Sequence, residues 1–157
     1  MKITLLVIGK TTTASIAAGI ADYAARVSRY VPFEIVTLPD ARASKSMTEA
    51  KQKEAEGKLI LGSLKPGDRL ALLDERGVEM TSRQFSEMLE RRAQMVGKRL
   101  VFAVGGPYGF SEEVYARADE KLSLSKMTFP HELVRLFFVE QLYRAQTISR
   151  GEPYHHD

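Results

Sequence analysis

Residues 3–8 read Ile-Thr-Leu-Leu-Val-Ile, a strand-length run that is apolar or β-branched on both of its parities. Side chains alternate across a strand, so such a run is covered on both faces, as in the parallel sheets of α/β proteins. A second apolar run, Leu100-Val101-Phe102-Ala103-Val104, enters a Gly/Pro turn. The whole pattern alternates strand with helix, β-α-β-α-β-α-β-α-β-α, and predicts an α/β chain with a parallel sheet and helices on both faces. At 157 residues without internal repeat or linker, the expectation is one domain over 1–157.

The elements follow from local signals. Thr11, Thr12 and Thr13 offer N-caps to a helix whose Ile16, Ile20, Tyr23, Ala24 and Val27 recur at helical spacing, and Pro32 stops it before a strand over Phe33–Leu38. Ser46-Met47-Thr48-Glu49 is a capping-box pattern opening a charged helix to about Leu61, whose acids read as a solvated face. Its lysines, with Arg42 and Lys45, are candidate phosphate contacts. Arg69–Leu73 reads as the third strand and Asp74-Glu75-Arg76-Gly77 as the loop at its carboxyl end. Ser82 caps a helix carrying Phe85, Met88, Leu89 and Val96, closed by Gly97. Arg99–Val104 and Leu122–Leu124 are the fourth and fifth strands, with a short helix after Ser111 between them. Pro130 begins a last helix to about Ser149 that is apolar around nearly its whole circumference. Such a helix is buried all round, one sheet covers one side, and a second copy of the chain is the expected cover for the other.

Composition excludes several classes. Cysteine is absent, which removes disulfides, thiolate catalysis and cysteine zinc sites, and three histidines with two adjacent at the end make no metal site expected. No run is long enough to span a bilayer, and the first residues lead into a strand rather than a signal peptide, so a soluble cytoplasmic protein is expected. A net charge of +3 suits a nucleic-acid partner without demanding one.

In parallel sheets ligands bind outside the carboxyl ends of the strands. Leu73, Gly105 and the Leu124–Phe129 segment fall at three such ends and are expected to share one pocket. Glycines 105, 106 and 109 permit positive φ or close backbone approach. Their spacing matches neither the dinucleotide fingerprint nor the phosphate loop, and a plain tight turn uses the same residues. Leu124 to Phe129 offers main-chain groups suited to an adenine edge, or to an ordinary strand-to-helix connection.

Gly105-Gly106-Pro107-x-Gly109, Leu122 through His131, Glu140-Gln141-Leu142-Tyr143-Arg144-Ala145 and Pro153-Tyr154-His155-His156 together resemble the RlmH family of SPOUT-class methyltransferases. The resemblance covers the whole chain. It implies a SPOUT fold with a C-terminal trefoil knot between about Leu72 and the last helix, which periodicity alone would never suggest. It also implies a homodimer with sites at the subunit interface. The implied reaction is methylation of N3 of a pseudouridine in 23S rRNA, within the assembled ribosome, from S-adenosyl-L-methionine. Cofactor contacts map by resemblance onto Leu73, Gly105, Leu124, Ser125, Lys126, Met127, Thr128 and Phe129.

Methyl transfer is an in-line displacement in which alignment supplies up to ~7–11 kcal/mol and a base ~10²- to 10⁴-fold. On the resemblance, His155 is the candidate base, Tyr154 stacks on the target or a neighbour, and Arg144 holds phosphate or base carbonyls, in preference to Arg135. The competing readings are a frayed terminus, a packing tyrosine and simple helix-surface cations. His131 is expected to orient its loop rather than move protons. His156-Asp157 departs from the family ending, where Lys or Arg often follows the first histidine, so no phosphate role is carried to residue 156. Two rival functions remain: a SPOUT enzyme acting on transfer RNA, and a non-catalytic nucleotide- or ribosome-binding module.

Overall fold

The computed structural model describes residues 1–40, 47–95, 97 and 99–157. Its elements are β1 (Lys2–Ile8), α1 (Ala14–Val27), β2 (Phe33–Leu38), α2 (Glu49–Gly62), β3 (Arg69–Glu79), α3 (Ser82–Met95), β4 (Arg99–Val104), α4 (Glu112–Arg117), β5 (Glu120–Ser123) and α5 (His131–Ser149). The five strands form one parallel sheet in the order β2-β1-β4-β3-β5. All six residues of β4 are buried, as the apolar pattern requires of a central strand.

Parity sorts the core into two layers. Ile3, Leu5, Val7, Leu100, Phe102 and Val104 face α1, α3 and α5, where Phe85, Phe102 and Phe138 form an aromatic cluster with centroids 4.7–6.2 Å apart. Leu6, Ile8, Val101 and Ala103 face α2 and α4, against Ile60, Phe110 and Val114. Among the described residues, no helix is long and apolar enough to cross a membrane.

Several local expectations are corrected. Thr13 takes the N-cap position of α1 but makes no side-chain cap bond; Glu132 of α5 ties down the entry to the helix, accepting from the N–H of Thr12 and Thr13 at 3.1 and 3.0 Å and from Thr12 Oγ1 at 2.9 Å. Thr81, not Ser82, caps α3, exchanging bonds with Gln84 in both directions. Thr48 caps α2, while the capping role expected of Ser46, the phosphate contacts expected of Arg42 and Lys45, and the core place expected of Val96 lie outside the described residues. Glu56, read as part of a solvated face, is 4% exposed and accepts from Gln52.

The last helix is also covered differently. It packs between α1 and α3 as well as on the sheet, so its own chain shields much of the circumference. What stays open is centred on Phe137, 40% exposed and 5.2 Å from the ring of Phe129. Arg135 is not a surface cation: it is 2% exposed and donates to the carbonyls of Ile8 and Gly9 and to Thr11 Oγ1 at 2.6–2.9 Å. It ties α5 to the end of β1.

Candidate active site

Strands β4, β3 and β5 are neighbours, so the loops after β4 and β5 meet the second half of β3. Between them lies a cavity of about 1020 Å³. Its apolar wall includes Leu73, Val104, Leu122, Leu124 and Phe129, and His131 and Val134 from the start of α5 close one side. Leu73, Gly105, Leu124, Ser125, Met127, Thr128 and Phe129 all line it. Lys126 does not; it is exposed, with its ammonium 3.6 Å from Glu79.

The glycine loop is shaped by two different needs. Gly109 has φ +83°, and its N–H donates to the Gly106 carbonyl at 3.1 Å, closing a tight turn. Gly105 and Gly106 lie outside the positive-φ region and serve by having no side chain. A Cβ at 105 would meet the Phe110 ring at 3.2 Å, and one at 106 the Glu56 carboxylate at 2.4 Å. The second loop is held by short-range bonds, from Ser123 Oγ to the Ser125 carbonyl and from the Met127 N–H to Ser125 Oγ.

The stretch read as a loop after Leu73 is instead part of β3. Pairing with β5 runs to Leu73, breaks, and resumes at Val78, so Asp74–Gly77 bulge over the cavity. This bulge links both loops. Thr128 donates to Glu75 at 3.2 Å on one side. On the other, the Tyr115 hydroxyl of α4 donates to Asp74 and accepts from Arg76 Nη2 at 2.8 Å. Burial alone would raise the Asp74 carboxyl, but Tyr115 and Arg76 hold it below the usual range; burial and Asp74 push the Tyr115 phenol up. Sequence reasoning missed Tyr115, whose one available signal is its place as the aromatic residue of the short helix α4.

Arg144, Tyr154 and His155 come together, but elsewhere. Arg144 makes a two-pronged pair with Glu140 at 3.1 and 2.7 Å and lies over the Tyr154 ring, 4.8 Å from its centre. Tyr154 donates to Glu140 Oε1 at 2.9 Å and packs edge-on against Tyr143. Burial, Tyr23 and Glu140 push its phenol well above the ordinary value. The end of the chain is therefore docked, not frayed.

Arg144 Nη1 lies 3.2 Å from His155 Nδ1, and His155 Nε2 lies 2.9 Å from Asp157. A guanidinium only donates, so Nδ1 accepts and the ring proton faces Asp157. Asp157 is in turn held by Arg83, which first, with His155 second, draws its carboxyl down to about 2. None of Arg144, Tyr154 and His155 lines the cavity. Tyr143, against which the tail packs, follows cavity-lining Val134 by about two and a half helical turns, or about 13 Å.

Among the described residues, no group of three or more His, Cys, Asp or Glu is placed to hold a metal ion. The cavity offers two backbone loops, apolar walls and a charged bulge, an arrangement suited to a small molecule with a flat apolar body and polar edges.

Comparison with known proteins agrees in outline. A family model described as "Predicted SPOUT methyltransferase" matches residues 1–155. The chain is 57% identical over 157 residues to the "Ribosomal RNA large subunit methyltransferase H" of Parabacteroides distasonis, and 52% identical to that of Bacteroides thetaiotaomicron, covering 100% of both chains in each case. The protein of the same name from Christiangramia forsetii is 52% identical over 156 residues, 99% of each chain. Among solved structures, a probable methylase family protein from Haemophilus influenzae Rd KW20 shares the fold with a TM-score of 0.50 at 12% identity, over 95% of this chain and 66% of that one.

Proposed function

This chain belongs to the SPOUT methyltransferase family, and from that premise we propose that it methylates N3 of a pseudouridine in 23S ribosomal RNA, on the assembled ribosome in the cytoplasm, with S-adenosyl-L-methionine as donor. Its full-length relatives bear the name ribosomal RNA large subunit methyltransferase H. The observation that carries the reading is the one cavity shared by the bulge of β3 and the loops after β4 and β5.

The residues present fit the donor. At about 1020 Å³ the cavity has room for it, Leu73, Leu122, Leu124 and Phe129 suit an adenine ring, and the two loops present main-chain donors and acceptors. Gly106 lets the loop lie against the buried Glu56, whose carboxylate a Cβ there would run into. When bound, the donor supplies a methyl group on a sulfonium leaving group. The chain's own part is to hold the target nitrogen in line and receive its proton.

His155 is the base in this reading, and the geometry supports one condition on its use. Its lone pair at Nδ1 is taken by Arg144, so the ring accepts a proton only when Arg144 moves to a phosphate or base carbonyl of the RNA. Tyr154 offers a ring for stacking. Because this trio sits at the far end of α5 from the cavity, the proposal includes a homodimer in which the tail of one subunit serves the cavity of the other, with the open patch at Phe137 as part of the contact. The trefoil knot implied by the family belongs to the same proposal.

The test is transfer of labelled methyl groups from S-adenosylmethionine to unmodified ribosomes, separated subunits, free rRNA and transfer RNA, with the product located by mass spectrometry. Label on a large-subunit pseudouridine is expected; label on transfer RNA alone would replace the substrate. His155→Ala and Tyr154→Ala should lose turnover while keeping cofactor affinity, and a His155→Ala subunit should be rescued in mixed dimers by a partner defective only in the cavity. Full activity in a monomer would overturn the shared-site arrangement.

A further inference from the structure

We propose that Arg76, held over the mouth of the cavity by Asp74 and Tyr115, grips a backbone phosphate of the RNA substrate and so registers the target base against the methyl donor. The inference rests on the reading that the substrate is RNA.

The bulge in β3 builds a mount for this side chain. Asp74 accepts from the Tyr115 hydroxyl and, through Oδ1, from the Arg76 backbone N–H at 2.8 Å. The same hydroxyl accepts from Arg76 Nη2 at 2.8 Å, and the guanidinium carbon stands 5.5 Å from the centre of the Tyr115 ring. The mount is enclosed and its load is not: the Asp74 side chain is 7% exposed and that of Arg76 is 74% exposed. An ion pair with so open a partner adds little to stability. What the arrangement does is hold a planar, forked donor in one place with N–H groups turned to solvent, which lowers the ordering cost of binding an anion.

Charge decides which anion. Glu54, Glu112 and Glu113 join Asp74 and Glu75 on the cavity wall, against Lys53 and Arg76 among the described residues. That balance favours the methyl donor, a net cation with a sulfonium and an ammonium against one carboxylate. It opposes an RNA backbone, which reaches this mouth only where a fixed cation offsets the carboxylates. Arg76 is fixed, and its fork matches a phosphate in two-pronged contact; Lys53 is a point charge on a flexible stem. Phosphate contacts of this kind set register rather than sequence preference.

The experiment compares wild type, Arg76→Ala, Arg76→Lys and Tyr115→Phe. Steady-state kinetics are read on ribosomes, with equilibrium binding to large ribosomal subunits across a salt series and calorimetric binding of S-adenosylmethionine. Arg76→Ala should raise KM for the ribosome by ~10- to 100-fold and reduce the slope of log affinity against log salt by about one. Cofactor affinity should stay within about twofold of wild type on this assignment. Arg76→Lys should recover the salt slope but only part of the KM, and Tyr115→Phe, which keeps the cation and loses its mount, should raise KM with the slope intact. Cofactor affinity falling as far as KM rises would assign Arg76 to the donor's carboxylate and overturn the proposal. So would unchanged ribosome affinity and slope. If wild type methylates no RNA at all, the proposed reaction fails, and the binding series still decides the role of Arg76.

Discussion

Gly77 is where the fold leaves least room, and Gly77→Ala is the substitution whose outcome the structure specifies most closely. The residue sits in the bulge of β3, between the two stretches that pair with β5. A Cβ there would lie 2.6 Å from the Lys121 carbonyl carbon, 2.7 Å from the Leu122 nitrogen and 2.8 Å from the Leu122 carbonyl carbon. Non-bonded carbons settle at ~3.5–4.0 Å, so the added methyl is about one ångström too close to three atoms at once. All three are backbone, which cannot rotate aside as a side chain can. Gly77 is not among the glycines with positive φ, so the cost is steric alone.

Relief requires parting β3 from β5, and Leu122 belongs to the core beneath. The expected loss lies at or above the upper end of the ~1–3 kcal/mol typical of overpacked sites. Against a total stability of ~5–15 kcal/mol the variant still folds. With a urea m-value of ~1–3 kcal/mol/M, the midpoint should fall by ~1–3 M. Because Leu73, Asp74 and Leu122 line the cavity, affinity for S-adenosylmethionine, read by calorimetry, should fall with it. Gly62→Ala is the control: nothing lies within 4 Å of a Cβ there, and a helical Gly→Ala change gains ~0.5–1 kcal/mol. A Gly77→Ala protein with the wild-type midpoint and wild-type cofactor affinity would refute the argument.

Three further outcomes are expected. Asp68→Asn, which leaves the buried Arg99 guanidinium facing a neutral amide in place of the carboxylate that accepts from it at 2.6–3.2 Å, should cost ~3–5 kcal/mol in urea unfolding. Burial alone would raise the carboxyls of Asp68 and Glu120, but Arg99 at the first and Arg92 with Arg69 at the second hold both below their ordinary values. Their stabilisation is therefore present above the unfolded carboxyl pKa of ~4 and lost as pH falls through the folded values, less steeply in Asp68→Asn; stability constant down to pH 2 would contradict this. Arg135→Met should cost ~1–3 kcal/mol for each of the Ile8 and Gly9 carbonyls left without a donor, with ribosome affinity unchanged; weaker ribosome binding at wild-type stability would return Arg135 to the RNA surface. Glu132→Gln should lower Tm in calorimetry, and Glu132→Ala more so, because the N–H groups of Thr12 and Thr13 at the entry to α1 lose their charged acceptor; an unchanged Tm in both would show that the entry to α1 needs no such tie.

Why some of this was legible and some not has a physical basis. β1 and β4 could be read closely because both parities of a covered strand must be largely apolar or β-branched, a local property. The bulge of β3 could not: Asp74-Glu75-Arg76-Gly77 has the composition of a turn, and only the cavity beside it explains charged residues in an extended strand. Convergence of the three segments was legible because parallel strands run toward one edge, and the neighbouring order β4-β3-β5 then puts the bulge of β3 and the loops after β4 and β5 around one space. The ties made by Glu132 and Arg135 were illegible because their partners are distant in the chain, whereas the capping box of Thr81 and Gln84 is local and could have been read. Glu132 reaches Thr12 and Thr13 from α5, and Arg135 hides among apolar neighbours to reach the end of β1.

The last helix joins what was read to what was not. Its apolar circumference did signal burial, but α1 and α3 supply more of the cover than a two-layer picture allows, leaving the patch at Phe137 instead of a whole face. That weakens the circumference as an argument for a partner and transfers the weight to geometry. The start of α5 closes the cavity, while its last turns carry Arg144 and the docked Tyr154 and His155. A rigid helix holds its two ends about 13 Å or more apart over the residues concerned. A tail bonded to Glu140, Arg144 and Tyr23 cannot serve the cavity at the other end of the same helix without breaking those bonds. Two copies with α5 turned end to end remove the difficulty, because each then brings its tail to the other's cavity with the dock intact. The discriminating result is the activity of mixed dimers in which one subunit lacks only His155 and the other only a working cavity.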